Sequence, residues 1–161
     1  MPSPTSAISS SKPKRPSSRS DAARQGWRRF GRLLRVHGHS MAPVLRPGQL
    51  VLIREDAYDA EPPRHGDIVA ARPACFGGRA LIKRLVGLPG ERVRIDAREW
   101  QLGEDEYFLL GDRGEHSFDS RIFGPVSRQE LIGPVRLALW PWKRLVPLSP
   151  GDPAAPTIRT D

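Results

Sequence analysis

Cysteine is almost absent from this chain. Cys75 is the single one, so no intrachain disulfide can form and a multi-cysteine zinc site is excluded. Long apolar runs are missing too: no stretch of about 18 apolar residues occurs, which argues against a transmembrane helix. The opening MPSPTSAISSSKPKRPSS lacks the apolar segment of a secretory signal peptide. Acid is scarce at the start. Residues 1–48 hold ten Lys or Arg and one acid, Asp21, whereas residues 49–161 hold sixteen bases and seventeen acids. The net charge of +8 therefore belongs to an N-terminal arm. Such an arm can touch any polyanion, lipid head groups included. No specific nucleic-acid partner is expected.

Proline and glycine are plentiful. Seventeen prolines and fifteen glycines punctuate short apolar runs, which predicts a mainly β domain of short strands. Residues 1–25, rich in Ser, Pro, Lys and Arg, are expected to form a disordered basic arm. Residues 26–35 are an amphipathic basic segment. Trp27, Phe30, Leu33 and Leu34 fall at helical spacing, with Arg28, Arg29, Arg32 and Arg35 on the rest of the turn. It reads as a short helix or strand packed on its own domain, or as a segment lying on an anionic membrane. The folded domain spans 36–148. Strands are expected at Leu50–Ile53, Asp67–Ala71, Ala80–Val86, Arg92–Ile95, Tyr107–Leu110 and Val135–Trp140, separated by Pro-Gly and Gly-Asp turns. Residues 149–161 read as a flexible tail.

Ser40, in VHGHSMAP, is the candidate nucleophile. A Ser-His-Asp arrangement would need His39, or His116 with Asp119. But His39 points away from its neighbour Ser40 in an extended chain, and Pro43 prevents the helix that a nucleophile elbow requires. His37 and His39, with His65 or His116, have weak metal-ligand spacing, and no metal or other cofactor is expected. The third candidate is Lys83 in ALIKRLV, which alternation places on the same strand face as Leu81 and Leu85. It is either an edge lysine snorkelling to water or a desolvated amine, able when neutral to accept the Ser40 proton.

Three segments resemble, in order, the boxes of type I signal peptidases, the peptidase S26 family. They are GHSMAPVLRPG (38–48), IKRLVGLPGE (82–91) and GDRGEHSFDSR (111–121), followed by Gly124. The resemblance covers roughly residues 36–146. It implies a signal-peptidase and SOS-repressor-like β-fold, here a minimal catalytic core without the large second β-domain. It also implies a Ser-Lys serine endopeptidase that cleaves signal or leader peptides after small residues. Ser40 would be the nucleophile, Lys83 the general base and Ser117 the group that orients Lys83. Asp119 with Arg121, and Arg84 with Asp112, would form structural ion pairs. The Ser40 N–H would bind the oxyanion. Many relatives add a hydroxyl two residues before the nucleophile, where this chain has Gly38. Gln49 replaces the usual acid after Gly48. Met41, Pro43 and Leu81 are candidates to line the substrate pockets.

The family's membrane anchor has no counterpart in this sequence. Residues 12–36, with Trp140 and Trp142, are therefore expected to bind an anionic membrane peripherally. The substrate would be a precursor polypeptide. The alternatives are a soluble cytoplasmic protease trimming a precursor such as nickel superoxide dismutase, an SOS-repressor-like autoprotease, and a non-catalytic β-domain with a lipid- or nucleic-acid-binding arm.

Overall fold

The computed structural model describes residues 31–114, 117–139, 145–147 and 159–160. Strand β1 is Arg32–Arg35, β2 Leu50–Ile53, β3 Ile68–Ala71, β4 Leu81–Gly87, β5 Arg92–Ile95 and β6 Arg98–Gln101. Then come β7 (Glu106–Leu110), β8 (Val126–Ser127), β9 (Leu131–Leu139), β10 (Leu145–Pro147) and β11 (Arg159–Thr160). One-turn helices at Ala57–Ala60 and Ser120–Phe123 are the only α-helices among the described residues. None is long and apolar enough to cross a membrane.

All pairings are antiparallel. The main sheet runs β1-β2-β9-β3-β4-β7-β8, with β10 also paired to β9. The long β9 joins its two halves: Val135–Leu139 pairs with β2, and the stretch from Leu131 to Pro134 pairs with β3. Gly133 sits at that junction, where a Cβ would collide with the Arg54 carbonyl. β5, β6 and β11 form a small separate sheet. Arg159–Thr160, from the expected tail, thus supplies one of its strands.

β3 is buried on both faces, so the core has two layers. Ile68 and Ala70 pack with Val36, Met41, Leu45, Val51 and Ile53 beneath the Ser40 turn. Val69 and Ala71 pack with Leu81, Leu85, Leu109 and Leu131 on the other side. Each fully buried aliphatic side chain contributes about 1.5–3 kcal/mol. A third cluster, Val86, Val93, Leu102, Phe108 and Leu110, docks the small sheet. Gly87 permits that approach, since a Cβ there would lie 2.5 Å from Val93 Cγ2.

Leu50–Ile53 and Arg92–Ile95 are strands over the expected residues. Of the two conformations weighed for 26–35, Arg32–Arg35 takes the strand. Trp27, Phe30, Trp140 and Trp142 lie outside the described residues.

Candidate active site

The loop from Val36 to Gln49 carries Ser40. Val36 N–H donates to Gln49 O at 2.8 Å and Gly48 N–H to Val36 O at 2.9 Å, which closes the loop at its base. Ala42 N–H donates to His39 O and Leu45 N–H to Met41 O, so the backbone doubles back around Ser40. Buried Met41 and Leu45 anchor the turn in the core. Gln49 Oε1 accepts from Arg46 N–H at 2.6 Å, so its amide oxygen caps the turn at Arg46-Pro47-Gly48. Gly38 has φ +76°, a conformation that strains any residue with a Cβ. That strain disfavours a hydroxyl-bearing side chain at this position.

Lys83 comes from β4, which lies between β3 and β7 and is therefore not an edge strand. Its residue is 4% exposed, so it does not snorkel to water. Its Nζ donates to Ser40 Oγ at 2.6 Å. Burial pulls the ammonium pKa down from 10.5 to about 8, against the pull of Asp119 and Asp112, which favour the charged form. A meaningful share of Lys83 is then neutral at physiological pH and able to take a proton.

The segment 111–121 packs against both groups. Arg113 N–H donates to Ser40 O at 2.9 Å. A Cβ at Gly111 would collide with the Ser117 side chain and lie 2.8 Å from Ser40 O, so only glycine allows this closeness. Ser117 is buried, and its Oγ makes no hydrogen bond of good geometry among the described residues. No such bond therefore joins it to Lys83 here, although its hydroxyl helps stabilise the nearby Asp119 carboxylate.

A buried ion pair, Arg84 with Asp112, and a half-buried one, Arg121 with Asp119, hold this region. Arg84 forks onto Asp112 at 2.7 and 2.9 Å and also donates to Gly66 O at 2.9 Å. Arg121 forks onto Asp119 at 2.9 and 2.8 Å and reaches Gly114 O. Burial alone would raise the Asp119 pKa, but the Arg121 fork and the Gly111 N–H hold it below its usual range. Asp119 is thus committed to Arg121 rather than to a histidine. His65 contacts Glu91 at 2.8 Å instead of joining His37 and His39. His116 lies outside the described residues.

Ser40 and Lys83 lie in a cleft of about 570 Å³, lined also by His37, Gly38, His39, Met41 and Leu81 but not by Pro43. Arg35, Phe76, Arg79 and Phe118 also line it, although nothing in the sequence places them at the site. Arg35 ends β1, Phe76 ends a 3-10 turn, and Arg79 and Phe118 lie on loops, so only folding unites them. Among the described residues, no acceptor takes the Ser40 N–H, which leaves it available to an oxyanion. A hydroxyl bonded to a buried amine beside an unengaged N–H is suited to acyl transfer.

A mainly antiparallel β protein with a serine and a buried lysine paired in an open cleft has the organisation of a hydrolase. The family model described as signal peptidase, peptidase S26 matches residues 27–100 and 96–140, and the chain belongs to that family of peptidases. It is 30% identical to signal peptidase I of Leptolyngbya laminosa, over 71% of each chain. It is also 30% identical to mitochondrial inner membrane protease subunit 2 of Danio rerio, over 77% of this chain and 74% of that one. A crystal structure of a signal peptidase I from Enterococcus faecalis V583 matches with 25% identity and a TM-score of 0.40. That match covers 47% of this chain and 97% of the other.

Proposed function

We propose that the protein is a serine endopeptidase that cleaves signal or leader peptides after small residues. Ser40 is the nucleophile and Lys83 the general base. The observation that carries this reading is the 2.6 Å contact between Ser40 Oγ and an amine whose pKa burial has lowered to about 8. Neutral Lys83 takes the Ser40 proton as Oγ attacks the scissile carbonyl. The Ser40 N–H stabilises the oxyanion. The Lys83 ammonium then returns the proton to the leaving amine, and water, deprotonated by Lys83, hydrolyses the acyl-enzyme. Ser117, buried beside Gly111 with no hydrogen-bond partner for its Oγ among the described residues, is the candidate to orient Lys83. Gly38 supplies no hydroxyl, so a second oxyanion donor must come from the backbone or from water. Met41 and Leu81 line the cleft beside Ser40 and are the candidates to limit it to small substrate side chains. Incubation with a panel of signal-peptide substrates and mapping of the cuts by mass spectrometry tests this. Cuts should follow small residues, and cuts after bulky or charged residues contradict the specificity.

The half-exposed Leu33, 54% accessible between Arg32 and Leu34 on β1, supports peripheral attachment to anionic lipid through residues 12–36. The full chain should co-sediment with anionic vesicles at low salt, and deletion of residues 1–30 should weaken this. Absence of binding would favour a soluble protease that trims a specific precursor.

A further inference from the structure

The cleft around Ser40 is one-sided in charge. Arg35 and Arg79 line it together with Lys83, and among the described residues no aspartate or glutamate does. Among the described residues, neither arginine has a carboxylate within ion-pairing distance. By contrast Arg32, on the same strand as Arg35, meets Glu55 at 3.4 Å. Arg79 is also held in place. Its guanidinium lies 4.8 Å from the Phe76 ring centroid, and its backbone N–H donates to Phe76 O at 3.2 Å. The Phe76 ring stacks on Phe118 at 5.4 Å, which in turn contacts Phe123 at 5.3 Å. This aromatic ledge steadies an exposed cation on the cleft wall that has no ion-pair partner among the described residues. A fixed cation loses little freedom when it binds an anion, and a concave wall concentrates its field.

The reach of these cations is bounded by the chain. Arg79 is four residues before Lys83 and so lies within about 14 Å of it along the backbone; Arg35, five before Ser40, lies within about 18 Å. An extended substrate advances about 3.3 Å per residue. We propose that Arg35 and Arg79 select polypeptides carrying an aspartate or glutamate within about five residues of the bond to be cut. This rests on the Ser40–Lys83 reading. Their place along the wall of the cleft that holds Ser40 favours a peptide carboxylate over a lipid phosphate.

Peptide pairs with Asp or Asn at each position flanking a fixed cleavage site test this in two ways. One is kcat/KM with the full-length protein, and the other is Kd with Ser40→Ala by fluorescence anisotropy. At one or more positions Asp should be favoured about fivefold in both. Arg79→Gln and Arg35→Gln should bring the Asp/Asn ratio towards one, and Arg79→Glu should shift preference towards Lys peptides. Arg98→Gln, the same charge change on β6, should keep the ratio. A ratio of one at every position in the unmodified protein overturns the proposal, and so does an equal loss in Arg98→Gln. Vesicle binding that depends on Arg35 and Arg79, without Asp/Asn discrimination, assigns these cations to lipid and overturns it too. If Ser40→Ala discriminates but the unmodified protein cleaves nothing, the acid-selective cleft stands and the catalytic reading falls.

Discussion

Replacing Lys83 by methionine is expected to abolish cleavage and, at neutral pH, to make the protein more stable. The chemical half follows from the proposed role: loss of the base should lower kcat/KM by at least about a thousandfold, as should Ser40→Ala. Lys83→Arg should be equally inactive, since a guanidinium does not deprotonate in this range. The stability half follows from burial. An unfolded lysine holds its proton up to about pH 10.4, whereas folded Lys83 holds it only up to about 8. Below 8 both states are protonated, and the folded state bears the full cost of a buried ammonium. Between the two values the unfolded state binds more proton, so stability rises with pH. Lys83→Met removes that cost, a gain of about 1–3 kcal/mol at pH 7 that should shrink as pH approaches 10. Urea unfolding at the two pH values measures it. An inactive variant that is less stable at pH 7 would show that Lys83 is held by favourable contacts rather than desolvated at a cost.

Arg84→Ala is expected to cause the largest loss of stability. Arg84 and Asp112 side chains are 1% and 0% exposed, joined by two bonds in a fork. Removing one partner leaves the other charged and buried, which costs about 3–5 kcal/mol. Gly66 O would lose a donor as well. Asp112→Ala should cost a similar amount. Replacing both by apolar residues of similar volume should cost much less, because no charge is then stranded. Chemical denaturation reads all three. A loss below about 1 kcal/mol in either single variant would mean that water reaches the pair.

Where a strand was legible, its ends were marked by turns. Leu50–Ile53 follows Arg46-Pro47-Gly48, and Arg92–Ile95 follows Leu88-Pro89-Gly90 and alternates cleanly. β9 begins at Leu131 rather than Val135, because Gly133 and Pro134 look like a turn but sit inside the ladder to β3. β6 gave no signal. Its turn is Asp96-Ala97 rather than a glycine pair, with Asp96 taking φ 53°, and Trp100 is its single large apolar residue. Arg32–Arg35 was ambiguous because adjacent Leu33 and Leu34 satisfy helical spacing, whereas pairing with β2 settles it as strand.

The site shows the same division. Alternation placed Lys83 with Leu81 and Leu85 but left open whether its strand was an edge. That depends on β3 and β7 flanking β4, a matter of long-range pairing. Ser40, Lys83, Arg84, Asp112, Asp119 and Arg121 were legible through the three boxes of the family resemblance. Phe76, Arg79 and Arg35 were not, because nothing in their spacing announces a shared cleft.

The central claim, that Lys83 takes the Ser40 proton as a neutral amine, is tested most directly by kcat/KM against pH on one small-residue peptide. Over the range in which the protein stays folded, the rate should climb as Lys83 deprotonates and level off above about 8. The profile should keep its shape in His37→Ala and His39→Ala. A rate already flat from about pH 6 upward, or a rising limb that vanishes with either histidine, would contradict it.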